Sequence, residues 1–279
     1  MSGMKSNKPV IIIRGGGDLA TGVVQKFHRS GFKVLILEAQ KPTAIRRGAA
    51  LCEAVYDKTA KVEDIVCKKI KYVNELEKCW QEGIVPLLVD PDGESIAKIK
   101  PDAVIDAIIA KRNYGTTIDM ANVTIALGPG FNAGWDVHAV IETNRGNDLG
   151  RLIQQGYAKP DTGIPGEIEG ESTRRVIHAP SKGVINHIVK IGSIVEQGEP
   201  LFSINKNESE TTGALSVKVR APIGGLLRGL IREGLQVRKG MKVADIDPRT
   251  DIDWRTISDK ARCLGGAALE AYLFLRTKG

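Results

Sequence analysis

The sequence Val10-Ile-Ile-Ile-Arg-Gly-Gly-Gly-Asp-Leu-Ala-Thr-Gly22 decides the fold of the first half of the chain. Its run of consecutive β-branched residues predicts a buried strand, and the glycines after Arg14 predict a tight turn. Leu19, Val23 and Phe27 then recur at helical spacing, and Gly31 ends the predicted helix. A buried strand that leads through a glycine-rich turn into an amphipathic helix begins a β-α-β unit.

The same alternation continues along the first half. Further strands are predicted at residues 33–37, 84–89, 103–109 and 123–127, with a short helix over residues 74–82. Strands this apolar are typical of a parallel sheet that is covered on both faces. The sequence therefore predicts a Rossmann-like α/β ligand-binding domain over residues 1–160.

An internal repeat marks the second half, where residues 178–198 align with residues 220–240 without gaps. The matching glycines are Gly183/Gly225, Gly192/Gly234 and Gly198/Gly240. Glycines that recur at one phase of a repeat indicate fixed tight turns in two similar β units. We expect a small all-β barrel-sandwich domain, of the biotinyl/lipoyl type, over residues 171–247. Residues 248–279 are predicted to form a C-terminal tail and helix that packs on the first domain or on another subunit.

Composition excludes several classes of function. The chain has 279 residues, 42% of them hydrophobic and 26% charged, and a formal net charge of +7. Basic and acidic residues are interleaved and aromatic residues are few, which argues against nucleic-acid binding. No apolar run is long enough for a membrane span, and the 4 cysteines form no metal-ligand pattern. We expect a cytoplasmic protein with no metal site and no membrane partner.

The glycine-rich turn is the first candidate ligand site, because Gly15-x-Gly17-x-x-Ala20 matches the dinucleotide-binding pattern. In that pattern backbone amides and the helix N-terminus bind a phosphate. Glu38, at the end of the second strand, is the candidate contact for a ribose. Asp18 places a carboxylate where the anion would lie, so it is expected to cap the helix instead. The candidate ligand contacts here are Arg14, Gly15, Gly16, Gly17, Asp18, Ala20, Thr21 and Glu38.

Other candidates follow later strands and are expected at the same carboxyl edge of the sheet. They are the ligand contacts Lys111, Asn113, Gly128, Gly130, Asn132 and Arg145, and the acid–base candidates Asp136, His138 and Glu142. His138 beside Asp136 or Glu142 has the composition of a proton-transfer site. Serine hydrolase, metalloprotease and P-loop signatures are absent from the sequence.

Seven motifs occur in order along the chain, at residues 14–22, 106–113, 127–131, 141–146, 162–166, 245–249 and 257–262. With them the chain resembles the YqeB-type accessory proteins of the selenium-dependent molybdenum hydroxylase system. Its Rossmann-like half is similar to that of XdhC-type chaperones, which are linked to molybdopterin. The resemblance implies a maturation factor with a molybdenum hydroxylase client, and it leaves open whether the chain is an enzyme.

Three functional hypotheses follow. The first is a maturation factor that binds a small phosphorylated ligand, a molybdopterin-type cofactor or a nucleotide, at the glycine-rich strand ends. The second is an NAD-dependent oxidoreductase that uses Glu38. The third is a carrier protein, which requires a modified lysine at Lys206 or Lys218 in the connection between the repeats. A homo-oligomer is compatible with each.

Overall fold

The computed structural model describes residues 8–205 and 216–277. The chain divides into two compact units. Unit 1 comprises Met1–Pro42, Ala49–Asp161 and Ile257–Gly279, and unit 2 comprises Thr43–Gly48 and Thr162–Thr256. Unit 1 therefore contains the C-terminal segment, and a short piece of the first half belongs to unit 2.

Unit 1 is built from helices and strands. The strands are β1 (Val10–Arg14), β2 (Lys33–Glu38), β3 (Thr59–Val62), β4 (Ile65–Ile70), β5 (Val85–Val89), β6 (Ala103–Asp106), β7 (Val123–Leu127), β8 (Asn132–Ala133), β9 (Ala139–Ile141), β10 (Leu152–Ile153) and β11 (Gly156–Tyr157). The α-helices are α1 (Asp18–Arg29), α2 (Ala54–Asp57), α3 (Leu76–Gln81), α4 (Ile96–Ile99) and α5 (Asp259–Leu275). Short 3₁₀ turns lie at Leu51–Glu53, Val73–Glu75 and Ile118–Met120.

Nine of these described strands form one large sheet in the order β10-β9-β7-β6-β1-β2-β5-β4-β3. Its central pairs are parallel, so the carboxyl ends of β1, β2, β5, β6, β7 and β9 meet at one edge. The outer pairs β3–β4 and β9–β10 are antiparallel. The large sheet is therefore mixed.

Alternating side chains of the central strands bury both faces of the large sheet. Ile11, Ile13 and Ile36 belong to the core cluster that includes α1 and α5. Ile12 and Leu35 face the other way, into the cluster formed with α3 and α4. Because both faces of these strands are buried, consecutive residues along each strand are apolar. This explains the apolar runs of the sequence.

Unit 2 contains the remaining described strands. They are β12 (Val176–His178), β13 (Gly183–His187), β14 (Ile194–Val195), β15 (Pro200–Asn205), β16 (Ser216–Arg220), β17 (Gly225–Leu230), β18 (Gln236–Val237) and β19 (Lys242–Asp247). They form two four-stranded antiparallel sheets, ordered β12-β19-β17-β14 and β16-β15-β13-β18. A 3₁₀ turn at Thr173–Arg175 precedes them, and another lies at Arg47–Ala49.

The two repeats occupy equivalent positions in unit 2. Gly183 pairs with Val237, and its counterpart Gly225 pairs with Val195. Both glycines have positive φ, 155° and 140°, and both approach a backbone carbonyl closely. A Cβ atom would lie 2.4 Å from the carbonyl oxygen of Asn205 at Gly183, and 2.3 Å from that of Asp247 at Gly225. Strand β14 of the first repeat therefore pairs with β17 of the second, and β18 of the second repeat pairs with β13 of the first.

The predicted fold class, a Rossmann-like parallel sheet followed by a barrel-sandwich domain and a C-terminal helix, is wrong. The large sheet is mixed, because the unpredicted hairpin β3–β4 and the strand β10 add antiparallel pairs at its margins. The strands of unit 2 form two four-stranded antiparallel sheets. The C-terminal helix was expected to pack on the first domain or on another subunit, and α5 is part of unit 1, where it packs along α1.

Within the two described ranges, no helix combines the length and the apolar character needed to cross a membrane.

Candidate functional site

The glycine-rich turn after β1 is held by the protein itself. A Cβ atom on Gly15, where φ is 95°, would lie 3.0 Å from the carbonyl oxygen of Ala107. The N–H of Gly16 donates to Oε2 of Glu38 at 2.7 Å. Gly17 is the N-cap of α1, and no described atom lies within 4 Å of a Cβ built on it. Only the Gly17 side of the turn therefore remains open.

Glu38 has a structural role at this turn. Its second carboxylate oxygen accepts a hydrogen bond from the N–H of Ala39 at 2.7 Å. Burial raises the pKa of Glu38, and the hydrogen bonds from Ala39 and Gly16 oppose that change. Because each oxygen already binds a backbone amide, the carboxylate fixes the turn to β2.

Arg14 and Asn113 fix the loop that follows β6. The buried Arg14 donates to Oγ1 of Thr116 at 2.5 Å and to the carbonyl oxygen of Pro91 at 2.8 Å. Thr116 in turn donates to Asp106 at 2.6 Å, and burial raises the pKa of that carboxyl group. Asn113 pairs with the backbone of Thr116 through both side-chain atoms, at 2.8 Å each. Arg14 and Asn113 therefore stabilise this loop.

The first turns of α1 contain three further candidates. Asp18 lies in the first turn, and Ala20 is buried in the core. Thr21 donates to the carbonyl oxygen of Gly17 at 2.9 Å and accepts from the N–H of Leu51 at 3.1 Å. Of these residues, only Asp18 lies at the open end of the helix.

The turn after β7 is also closely packed. Gly128 and Gly130 have φ of 80° and 107°. A Cβ atom would lie 2.7 Å from Oγ1 of Thr143 at Gly128, and 2.6 Å from the backbone nitrogen of Arg112 at Gly130. These glycines therefore allow the loop of Arg112 and the segment at Thr143 to approach the turn closely.

The acid–base candidates do not converge. Asp136 accepts a hydrogen bond from the N–H of Asn132 at 2.8 Å and closes a local turn. His138 immediately precedes β9, at the amino edge, whereas Glu142 follows it, at the carboxyl edge. The two side chains are therefore separated by the length of a strand. The expected proton-transfer pair of His138 and Glu142 is not formed.

Glu142 joins two loops at the carboxyl edge. It is buried and accepts from the N–H of Asn144 at 2.7 Å and from the N–H of Lys159 at 2.8 Å. Three cations at the same edge have acidic partners in the structure. They are Lys111 with Asp161, Arg145 with Asp259 at 3.1 Å, and Lys159 with Asp148.

Lys260 is the functional candidate that the sequence pattern missed. It lies in the first turn of α5, one residue after Asp259, and is partly buried. Among the described residues, none accepts a hydrogen bond from it or forms an ion pair with it. Burial lowers its pKa, the charge of Arg145 lowers it further, and the carboxylates Asp18, Asp161 and Glu142 act in the opposite direction. These interactions place Lys260 among the charged groups of the carboxyl edge.

We call the region around Lys260, with the carboxylates of Asp18 and Glu142 that interact with it and the open side of Gly17, the Lys260 crevice. In the sequence, Lys260 belongs to the motif at residues 257–262. That motif does not indicate which residues lie next to Lys260 in space. Among the described residues, no group of three or more His, Cys, Asp or Glu side chains is arranged to hold a metal ion.

The fold and the site define a two-unit protein with a mixed α/β sheet and a group of charged side chains at the carboxyl edge of that sheet. No family model matches the chain. The chain is 45% identical over 275 residues, 98% of its length, to the uncharacterized protein YqeB of Escherichia coli (strain K12). The expected resemblance to YqeB-type proteins is thereby confirmed. The chain spans about half (49%) of the length of this relative.

Several solved structures also align with most of the chain. The product-bound ectoine utilization protein EutE (DoeB) of Ruegeria pomeroyi is 12% identical, with 86% of this chain and 85% of that chain covered. A succinylglutamate desuccinylase from Silicibacter sp. is 11% identical, with coverage of 86% and 84%. An aspartoacylase family protein from Mesorhizobium loti is 13% identical, with coverage of 86% and 84%. The TM-score of each is 0.27, too low for any property of these proteins to be carried over.

The expected function as a maturation factor for a selenium-dependent molybdenum hydroxylase is wrong. The relative YqeB is itself uncharacterized, so the likeness to it gives no support for a link to selenium or molybdenum. The physical reason lies at the turn, where Glu38 occupies the Gly16 amide that was expected to bind phosphate.

Of the two alternatives, the first lacks its expected ribose contact, and the second is tested only at Lys218. The NAD-dependent oxidoreductase hypothesis needs Glu38 for a ribose, and both its oxygens accept from backbone amides. For the carrier hypothesis, Lys206 lies outside the described residues. Lys218 lies inside strand β16, opposite Ser203, and not in an exposed tight turn.

Proposed function

We propose that the chain is a ligand-binding protein that takes a small organic acid in the Lys260 crevice. The ligand's carboxylate accepts hydrogen bonds from the ammonium group of Lys260. This site lies beside the glycine-rich turn but does not use the Gly16 amide, which Glu38 occupies.

The observation that supports this proposal is the lack of a partner for Lys260. Lys111, Arg145 and Lys159 at the same edge are each paired with an aspartate. Lys260 is partly buried and has no such partner among the described residues. Because burial lowers the pKa of Lys260, it disfavours the ammonium form, and an anionic ligand would favour that form again.

Electrostatics favour a carboxylate over a phosphate in this crevice. Lys260 supplies one positive charge, and the carboxylates of Asp18 and Glu142 interact with the same group. A ligand with two or more negative charges on one group would meet those carboxylates at a repulsive energy of about 1 kcal/mol or more per pair. A single carboxylate matches the charge of Lys260.

The first turns of two helices add to the attraction. Asp18 begins α1 and Asp259 begins α5, and both helices direct their N-termini to this edge. The unpaired amides of a helix N-terminus carry partial positive charge and favour a bound anion. Lys260 and these amides together support a site for one carboxylate group.

The proposal is tested by calorimetric titration of the protein with acetate, pyruvate, malate, succinate and citrate, and with inorganic phosphate for comparison. We expect at least one of the acids to bind, and phosphate to bind more weakly. Lys260→Met, which keeps the length of the side chain but removes the charge, should weaken binding by about tenfold or more.

Lys78→Met is the matched control, because Lys78 is an exposed lysine in the last turn of α3, which precedes β5 and so lies away from the carboxyl edge. It should bind the acid as the unaltered protein does. Lys260→Arg should retain most of the affinity, since the charge remains. Absence of binding by every acid, or equal binding by Lys260→Met and the unaltered protein, would overturn the proposal.

A further inference from the structure

A second groove opens at the opposite, amino edge of the large sheet. It is formed by the segments that precede β6, β7 and β9, and its volume is about 640 Å³. Pockets for small molecules commonly have volumes of about 300–1,000 Å³. The wall residues used below are Ile96, Lys100, Pro101, Asp119, Met120 and His138. We call this space the amino-edge groove.

His138 gives the groove a hydrogen-bond donor of defined position. Its Nδ1 lies 3.0 Å from the backbone nitrogen of Thr124, and a backbone N–H can only donate, so Nδ1 is the acceptor. Burial lowers the pKa of His138 despite the opposing charge of Asp119. The ring is therefore neutral near pH 7 and carries its proton on Nε2. No described residue accepts a hydrogen bond from that N–H.

Lys100 and Asp119 place opposite charges on the same groove. Lys100 follows α4 with a left-handed backbone, φ 51°, and Asp119 lies in the 3₁₀ turn before β7. Both side chains line the groove, and neither forms an ion pair with the other or with another described residue. Two unpaired charges of opposite sign on one groove suit a ligand that carries both charges.

Part of the remaining wall is apolar, and Asn122 adds a polar side chain to it. Ile96 is buried, and Met120 packs against the same core cluster. Pro101 is also buried. An apolar side chain of a ligand would bury surface here at a gain of roughly 25 cal/mol per Å².

From this arrangement we propose that the amino-edge groove binds a zwitterionic α-amino acid with an apolar side chain. Its ammonium group pairs with Asp119, and its carboxylate accepts from Lys100 and from Nε2 of His138. Its side chain lies on Ile96 and Met120. An anion without an ammonium group would be repelled by Asp119, and a cation without a carboxylate would be repelled by Lys100.

The first test varies the ligand. The protein is titrated calorimetrically with L-leucine and L-phenylalanine, and with isoamylamine and 4-methylpentanoate, which each lack one charged group of leucine. We expect an amino acid to bind at least about fivefold more tightly than either analogue, because each analogue loses one charged contact. The nitrogen-15 resonance of Nε2 of His138 should shift on binding of the amino acid.

The second test varies the protein. Asp119→Asn and Lys100→Gln should each weaken binding of the amino acid by about fivefold or more. Lys98→Gln is the matched control, since Lys98 lies on α4 but does not line the groove, and it should bind normally. The proposal is overturned if neither amino acid binds or if an analogue binds as tightly as the amino acids. It is also overturned if Lys98→Gln and Lys100→Gln have the same effect on the affinity for the amino acid. Organic acids that bind only in the Lys260 crevice leave this groove unaffected, so the two sites are tested separately.

Discussion

Gly22 of α1 lies directly against Ala261 of α5: a Cβ atom on Gly22 would stand 2.2 Å from the carbonyl oxygen of Ala261. Only a glycine permits this approach of two helix backbones. Because the contact is close to the N-termini of both helices, the first turns of α1 and α5 lie side by side. This packing brings Lys260 near Asp18 and so creates the Lys260 crevice.

Gly265→Ala should destabilise this helix pair. Its Cβ would lie 2.3 Å from the carbonyl oxygen of Gly22, and such overpacking costs about 1–3 kcal/mol. Gly266→Ala is the control, because its Cβ meets no described atom within 4 Å and alanine favours a helix by up to about 1 kcal/mol. Urea denaturation measures both. Equal effects of the two substitutions would show that the helices are not in close contact.

Glu38→Gln should lower stability by about 1–3 kcal/mol, because one of two backbone amides loses its acceptor. The effect depends on pH. Burial raises the pKa of Glu38 above its ordinary 4.5, so the folded protein binds this proton more tightly than the unfolded chain. The contribution of Glu38 to the free energy of unfolding therefore declines as pH rises. The decline begins at about the pKa of Glu38 in the unfolded chain and continues through its raised pKa in the folded protein.

Glutamine does not titrate, so the stability gap between Glu38→Gln and the unaltered protein should narrow as pH rises over that interval. The free energy of unfolding in urea, measured at several pH values, gives the gap directly. A gap that widens with pH would mean that the pKa of Glu38 is lowered on folding.

The repeat in unit 2 provides a third prediction. Gly192 packs on Trp254, with its Cβ position 2.5 Å from Nε1 of the indole, whereas its counterpart Gly234 meets no described atom. Both have positive φ, 89° and 77°, so alanine is strained at either position. Gly192→Ala should therefore be more destabilising than Gly234→Ala by about 1–3 kcal/mol. It should also change the fluorescence of Trp254, and identical unfolding curves and spectra for the two variants would contradict this packing.

Much of the central sheet could be predicted from the sequence. Long β-branched runs define β1 and β7, and the glycines that follow them were placed at the carboxyl edge. The hairpin β3–β4 was missed because its turn at Glu63, with φ of 53°, lacks the glycine or asparagine that normally signals such a turn. Strand β6 ends at Asp106, before the predicted residue 109, because the buried Asp106 binds the following loop.

Motifs alone did not distinguish structural from functional residues. The motif at residues 245–249 contains Asp245 and Asp247, which are buried and accept hydrogen bonds from Arg228. It is therefore a structural ion network of unit 2. Lys260 could not be recognised in the motif at residues 257–262, because its surroundings depend on the packing of α5 against α1, a contact between the two ends of the chain.

Lys260 provides the most direct test of the account. Reductive methylation with carbon-13 formaldehyde keeps the lysine charge and gives each lysine an NMR signal, and Lys260→Met identifies the signal of Lys260. Since burial lowers its pKa, that signal should titrate at lower pH than the signals of exposed lysines. Addition of a binding organic acid should shift it in a saturable way and move its titration to higher pH, because the ammonium form then gains a partner. A signal that titrates with the exposed lysines and does not respond to any acid would contradict the central claim.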